Sequence, residues 1–438
     1  MEPVKALPEF TKYTLLSILG MLAMSCYILA DTFFVSQSLG TSGLAALNLA
    51  IPAYNFIHGT GLMLGMGGAT RFSVCKSQGK DKEANMVFTN TCYLSVVFSV
   101  LFFLVGLLLS ENLASLLGAD AAVFEMTNTY LKVLLLFSPA FIFNDVLLCF
   151  VRNDGNPQLS MAATVCGSFS NIILDYVFMF PLKMGIFGAV LATGLAPVIG
   201  ILIMTPHWLK RNKGFHLVRT APRLKPIQIT LSLGFPSLLA QISSGIVMIV
   251  FNAIILGLIG NTGVAAYGVI ANISLVIVSI YTGIAQGVQP LLSREYGRAN
   301  AKSLRTFLNY GMLVTVVLSV VLYLITLLFA DPIAMVFNSE RNPELQRIAA
   351  AGLKLYFTSN LFVGYNILIS TYFTSVEKAL PAHVVSLLRG LVLIIPMAFL
   401  LSSLSGMTGV WLTYPATELI VSAVAVCFYL RLQKKAAG

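Results

Sequence analysis

The sequence has little charge for its length. Only 10% of its 438 residues are charged and 57% are hydrophobic, whereas a soluble globular domain carries about 25% charged residues. Apolar stretches of roughly 20 residues, the length that an α-helix needs to cross the hydrocarbon core of a bilayer, recur along the whole chain. The composition therefore excludes a soluble protein and predicts an all-α polytopic membrane protein.

The chain also lacks the motifs of nucleotide and metalloenzyme chemistry. It contains no GxxxxGK[ST] loop and no HExxH, and its six cysteines include no CxxC pair. No stretch between the apolar segments is long enough for a soluble catalytic domain. We therefore expect neither an enzyme nor a bound cofactor. The net charge of +10 does not indicate a nucleic-acid partner, because the basic residues lie in short loops beside the spans.

We predict twelve membrane-spanning helices arranged as two lobes of six. Residues 1–206 form the predicted N-lobe, 207–226 a cytoplasmic linker and 227–438 the C-lobe. The predicted spans cover residues 13–38, 44–70, 86–109, 124–151, 158–181, 185–206, 227–257, 263–290, 304–330, 345–374, 380–402 and 406–430. An even number of spans places both termini on one side of the membrane. Most Lys and Arg residues fall on that side, which the positive-inside rule identifies as the cytoplasm.

The two halves of the sequence repeat each other. The segment "LGTSGLAALNLAIP" from Leu39 is similar to "IGNTGVAAYGVIAN" from Ile259, 220 residues later. Because each half has an even number of spans, both halves insert in the same orientation. We therefore expect a parallel internal repeat about an axis along the membrane normal, which is a common plan of transporters.

Acidic residues inside the spans are few and expensive, at about 2.5–3.5 kcal/mol each on insertion scales. Asp31 and Asp175 lie about 27 and 26 Å along parallel spans, hence at one depth. Asn171 is one helical turn before Asp175, and Thr193 lies near the same level of the next span. Together these oxygens predict a site for a proton or a small hard cation. The alternative is that the four side chains only form structural hydrogen bonds.

Four further residues are polar and lie within predicted spans. Asp145 is seven residues before Arg152, so we expect either an ion pair with that arginine, structural or gating, or a role in the site. Glu418 is either a polar anchor of the C-lobe or a functional group. His58 and Arg389 have no obvious partner in the sequence.

Several segments carry a family resemblance. They are "LADTFFVSQSLGTSGLAALNLAIP", "VRNDGNPQLSMAATVCGSFSNIILDYVF", "GIFGAVLATGLA", "LGFPSLLAQ" and "GVQPLLSREYGRAN". The chain resembles the multidrug and toxic compound extrusion (MATE) family, of prokaryotic type. The resemblance implies two six-helix lobes around a central cleft, and antiport of organic cations or amphipathic compounds against protons or sodium. It also implies that Asp31, Asn171, Asp175 and Thr193 bind the proton, or are the metal ligands if sodium is the coupling ion.

The sequence departs from the family in two places. Some members bend their first helix at a proline near the aspartate, but residues 13–38 contain no proline. Others carry a carboxylate in span 7, where this chain has Gln241. These departures weaken the prediction of a proline-driven bend and of a second cation site in the C-lobe.

We predict a secondary active multidrug efflux antiporter that works by alternating access. It is expected to act as a monomer in the bacterial cytoplasmic membrane, with small amphipathic or cationic substrates and lipids as its partners. One alternative is a flippase for a lipid-linked precursor, which would favour a strongly cationic cavity; only Lys132, Lys354 and Arg389 are available for it. A receptor or membrane enzyme is a third possibility, against which the repeat argues.

Overall fold

The structure, a computed structural model, describes residues 3–209, 214–338 and 341–437. Within these ranges the chain is helical, without strands, and crosses the membrane twelve times. The six spans of the N-lobe are, in order, the two parts of Pro3–Ser77 on either side of Gly40, then Asp81–Leu108, the bent pair Phe124–Leu136 with Ser138–Asn153, Pro157–Met179 and Gly185–Leu209. We number them spans 1 to 6.

Spans 7 to 12 form the C-lobe. They are Leu224–Ile259, Asn261–Gly297, Ala301–Leu328, Pro343–Tyr356 continued by a 3₁₀ turn (Phe357–Ser359) into Asn360–Ser375, Ala379–Leu387 continued through a π-helical turn (Leu388–Val392) to Gly406, and residues 407–437. The last two spans share the helix Ile394–Ala437, which bends at Gly406. Short helices Ser110–Leu116 and Ala330–Phe337 connect spans 3 to 4 and 9 to 10.

The twelve spans confirm the prediction, but most of the helices are longer than predicted. Span 1 begins at Pro3 rather than at residue 13, and span 8 continues to Gly297 rather than to residue 290. Hydropathy detects only the part of a helix that crosses hydrocarbon. The polar turns at its ends continue the same helix into the interface, so the apolar pattern ends before the helix does.

The repeat is also present in the backbone. Gly40 and Gly260 have φ of 63° and 73°, and Gly185 and Gly406 have φ of 62° and 57°. These left-handed conformations are inexpensive only for glycine, and they reverse the chain between paired spans. The two pairs are separated by 220 and 221 residues, so each lobe bends at the same places and the parallel repeat is confirmed.

The two lobes touch along spans 1 and 2 of one and spans 7 and 8 of the other. We call the face of the bundle that holds both chain ends the terminal face, and the other the opposite face. Among the described residues, polar contacts between lobes occur at mid-depth, where Ser25 donates to Ser279 at 2.6 Å, and toward the terminal face. The latter are Arg294–Glu9, Arg71–Glu377, Arg152–Gln286, Asn153–Gln289 and Gln289–Thr70. The bundle is therefore closed at its terminal face.

Candidate functional site

Spans 5 and 6 bring three of the predicted site residues together. Asn171, Asp175 and Thr193 are buried, with 0%, 0% and 4% of their surface exposed. With the Asn171 amide oriented to suit its neighbours, its nitrogen donates to Oδ2 of Asp175 at 3.0 Å and its oxygen accepts from the Thr193 backbone N–H at 3.2 Å. The Thr193 hydroxyl donates to Ala189 O of its own helix, which leaves its lone pairs free to accept.

Local sequence explains how the two spans approach. Asn156 caps the start of span 5 by accepting from the Leu159 N–H at 3.2 Å, and Pro157 follows at a position where no N–H is needed. At Gly167, a Cβ atom would lie 3.1 Å from the carbonyl oxygen of Ala196. The missing side chain therefore lets span 6 pack against span 5 one turn before Asn171.

Asp31 joins the cluster from span 1. It is 7% exposed, and its carboxyl lies within electrostatic range of Asp175 and of Tyr130. The backbone stays helical through this residue up to Gly40. Asp31 and Thr193 are each eight residues, or about 12 Å, from the opposite-face ends of their helices. The four predicted residues thus occupy one region, in the half of the N-lobe nearest the opposite face.

The two carboxyl groups are incompletely hydrogen-bonded. Oδ1 of Asp31 and Oδ1 of Asp175 are buried and have no hydrogen-bond partner among the described residues. An unpaired carboxylate in a low-dielectric interior is strongly disfavoured, and two nearby like charges disfavour each other further. Both penalties fall when a proton or a small cation binds to these oxygens. The cluster can therefore exchange cations as a chemical property of its own side chains.

Tyr130 also lies at this cluster, although the sequence did not predict it. Tyr130 is 4% exposed and its hydroxyl lies beside Thr193. An aromatic residue in a membrane span is so common that its type carries no signal. Only the placement of span 4 against span 6 shows its role.

Of the two alternatives for Asp145, the ion pair with Arg152 does not form in this structure. Nδ1 of His58, on span 2, is 2.8 Å from Oδ2 of Asp145, while Arg152 donates to Oε1 of Gln286 at 2.6 Å. The contact does not meet hydrogen-bond geometry, and Oδ2 has no hydrogen-bond partner within residues 3–209, 214–338 and 341–437. Gly61 faces the same oxygen, and a Cβ there would lie 2.6 Å from it. The side chain of Asp145 therefore packs against span 2 at His58 and at the backbone of Gly61.

Tyrosine side chains connect the two acidic regions of the N-lobe. The hydroxyls of Tyr27 and Tyr54 are 2.7 Å apart, and Tyr27 is one turn before Asp31. Tyr54 is one turn before His58, and the two rings stack with centroids 5.7 Å apart. Tyr54 lies within electrostatic range of both Asp31 and Asp145. Polar groups therefore continue from the Asp31 cluster toward the terminal face.

In the C-lobe, Glu418 belongs to a satisfied network. Its Oε1 accepts from Nη2 and Nε of Arg389 at 2.8 and 3.1 Å, and its Oε2 accepts from Asn366 at 2.6 Å. Ser422 in turn donates to Asn366. Arg389 lies in the π-helical turn of span 11, a distortion that often marks a special position. The sequence predicted no partner for Glu418 or for Arg389. In the structure the two charges neutralise each other.

The described residues hold no group of three or more His, Cys, Asp and Glu side chains placed to bind a metal ion. The Asp31 cluster instead combines two carboxyls with amide and hydroxyl oxygens. Oxygen donors of this kind suit hard cations. The donor set therefore fits a proton or a sodium ion.

Comparison with known proteins identifies the family. The profile described as MatE matches residues 17–177 and 236–400, most of both lobes.

The chain belongs to the MATE family.

Curated relatives cover nearly the whole chain. The "Multidrug export protein MepA" of Staphylococcus saprophyticus is 26% identical over 416 residues, which are 94% of this chain and 91% of that protein. MepA of Staphylococcus aureus is 25% identical over 421 residues, 95% of this chain and 92% of that protein. As a MATE protein, the chain is a multi-pass membrane transporter and not an enzyme.

Solved structures share the MATE fold. An outward-facing MATE transporter superposes with a TM-score of 0.93 at 23% identity, covering 100% of this chain and 98% of that one. A MOP superfamily transporter from Pyrococcus furiosus gives 0.91 at 24% identity, covering 99% and 96%. The agreement confirms twelve transmembrane helices in two lobes.

Proposed function

We propose that this MATE protein is a multidrug efflux antiporter, which exports organic cations or amphipathic compounds in exchange for protons or sodium ions. The observation that carries the proposal is the pair of buried, incompletely hydrogen-bonded carboxyls of Asp31 and Asp175. The relatives named multidrug export protein MepA support the export activity. The oxygen atoms of the four side chains support a proton or a sodium ion as the coupling ion.

Coupling requires that the ion and the substrate prefer different conformations or compete for the same groups. In the conformation described here, the lobes are joined from mid-depth to the terminal face. A proton or sodium ion arriving from the opposite face binds to Asp31 and Asp175, with Asn171 and Thr193 completing the oxygen shell. Neutralising the carboxyls removes their attraction for a cationic substrate, which then leaves the cleft.

The return half of the cycle opens the terminal face. The polar contacts there, including Arg294–Glu9 and Arg71–Glu377, must separate. The ion then departs and leaves the carboxylates free to attract a new substrate. The bias of Lys and Arg residues toward the terminal face supports a cytoplasmic position of that face in a bacterial cell. With this orientation, the conformation described here faces outward.

The flippase alternative receives no comparable support from the contacts. Arg389 is neutralised by Glu418 at 2.8 Å, and Lys354 lies 3.7 Å from Asp331. Arg389 is therefore not free to hold a lipid phosphate, whereas the exposed pair of Lys354 and Asp331 is weak and leaves a single lysine near the end of its span, short of a cationic cavity. We therefore retain export of cations as the proposal.

The test is ion-coupled transport by the purified protein in proteoliposomes. Tetraphenylphosphonium export is measured with a proton gradient alone and then with a sodium gradient alone, in otherwise identical buffers. We expect one gradient to drive export, and added substrate to drive the same ion in the reverse direction. Export that needs neither gradient would contradict antiport.

A further inference from the structure

His58 and Asp145 form an ionisable pair that the proposed export cycle does not use. Nδ1 and Oδ2 are 2.8 Å apart, and the two residues are 8% and 5% exposed. His58 lies 17 residues, or about 26 Å, from the opposite-face start of span 2, whereas Asp31 lies about 12 Å from the end of span 1. The pair is therefore separated in depth from the Asp31 cluster, toward the terminal face.

The fold does not require an ionisable pair at this helix crossing. In the internal repeat, Val278 of span 8 is the residue equivalent to His58, and Ile367 of span 10 is the residue equivalent to Asp145. Both are apolar and pack against the core of the C-lobe. The C-lobe thus carries hydrocarbon side chains at the two corresponding positions, so the helix plan of a lobe does not by itself require polar side chains there.

The pair also lies where the lobes meet. Gly59, the residue after His58, faces span 7, and a Cβ there would lie 3.0 Å from side-chain atoms of both Gln241 and Leu238. A change of charge at His58 therefore occurs beside a surface that must separate during alternating access. Histidine is the side chain whose ordinary titration falls between pH 5 and 8.

We propose that His58 and Asp145 form a second proton-binding site of the N-lobe, between the Asp31 cluster and the terminal face. The proton adds to the imidazole to give an imidazolium, whose charge is balanced by the Asp145 carboxylate, and it leaves to water on the terminal side. The inference rests on the proposed function, because the second site would bind a coupling proton between the Asp31 cluster and the terminal face.

Two further titratable groups lie within electrostatic range of Asp145, namely Tyr54 on span 2 and Cys149 on span 4, and Arg152 lies within range of Cys149. Tyr27 and Asp31 on span 1 and Tyr130 on span 4 lie within range of Tyr54, farther from the pair. The neighbour on span 7, Gln241, is neutral. Asp145 is the group in direct contact with His58, so its carboxylate is the charge nearest to the imidazole.

The first test observes the imidazole directly. The chain has four histidines, so ¹⁵N-histidine NMR of the full-length protein in detergent gives few signals, and His58→Gln assigns the relevant one. We expect the His58 signal to titrate between pH 5 and 8, and Asp145→Asn to shift that titration toward lower pH. A His58 that keeps one protonation state over this range, or a titration unmoved by Asp145→Asn, would overturn the inference.

The second test separates this site from the Asp31 cluster. We expect His58→Gln to bind tetraphenylphosphonium within twofold of the parent but to export it at least tenfold more slowly in proteoliposomes. The double variant His58→Gln/Asp145→Asn removes both charges, so it avoids an unpaired buried charge that would impair folding. Ser95→Ala, a buried hydroxyl bonded within its own helix at 2.8 Å, is the matched control.

The outcomes distinguish the two proposals. Parent-level export by the double variant, alongside loss of export in Asp31→Asn, removes the second site and leaves the proposed function intact. Parent-level export by Asp31→Asn removes the proposed function, whatever His58 does. Slow export by both the single and the double variant, with Ser95→Ala unchanged, supports the second site.

Discussion

Gly234→Ala is predicted to open the terminal face of the bundle. A Cβ at residue 234 of span 7 would lie 1.8 Å from the carbonyl oxygen of Met63 on span 2, whereas real Cβ atoms are essentially never closer than 3.0 Å to such an atom. The obstacle is backbone and cannot rotate away, so the two helices must separate by more than about 1 Å.

The energetic effect follows from this overlap. Inserting a methyl group into a close-packed contact costs about 1–3 kcal/mol. Because spans 2 and 7 belong to different lobes, the strain falls on the conformation that is closed at the terminal face. The closed population should therefore decrease relative to the open one by roughly 5- to 150-fold.

Spin labels measure this population in a cysteine-free background. Spin labels are attached at the exposed residues Lys80 and Lys302, which lie at the terminal-face ends of the two lobes. Pulsed dipolar spectroscopy then gives the distribution of distances between the two labels. We expect Gly234→Ala to move weight to longer distances. Gly257→Ala is the control on the same helix, because its Cβ would meet no atom within 4 Å. An unchanged distribution in Gly234→Ala would refute the reasoning.

Two further substitutions probe the ion pairs, and one probes the amide of the site. Glu418→Gln leaves Arg389 buried without its counter-charge, so we expect the free energy of unfolding to fall by about 3–5 kcal/mol. The melting temperature should be lower while the coupling ion stays the same, and an unaltered melting temperature would contradict the prediction. Glu9→Gln breaks the pair with Arg294, whose side chains are 24% and 23% exposed, so its effect on the balance between closed and open terminal face should stay within about 1 kcal/mol; a wholly open terminal face in the distance distribution would contradict it. Asn171→Leu removes the donor to Asp175, and export should fall at least tenfold in proteoliposomes; parent-level export would show that the amide is dispensable.

The sequence alone predicts the spans and the repeat because both depend on local patterns. Twenty-residue apolar stretches and matching glycines such as Gly40 and Gly260 are visible without a structure. The convergence of Asp31 with Asp175 also follows from counting residues along parallel helices, since a helix rises by a fixed distance per residue.

Contacts between distant helices could not be predicted in this way. Spacing along one helix suggests Arg152 as the partner of Asp145, but the helix crossing with span 2 supplies His58 from 87 residues earlier. Likewise Arg389 reaches Glu418 from a π-helical turn, a local change of pitch that composition does not encode. Rotation of each helix about its axis decides these pairs, and it is set by packing across the whole lobe.

The most direct test of the central claim is the proton or sodium flux that substrate induces in Asp31→Asn. This change keeps the shape of the side chain but removes its capacity to exchange a proton or balance a cation. Parent protein and variant are reconstituted at equal density, and ion movement is recorded on addition of tetraphenylphosphonium. We expect the parent to move the ion and the variant to lose substrate-induced flux. Equal flux in both proteins would contradict it.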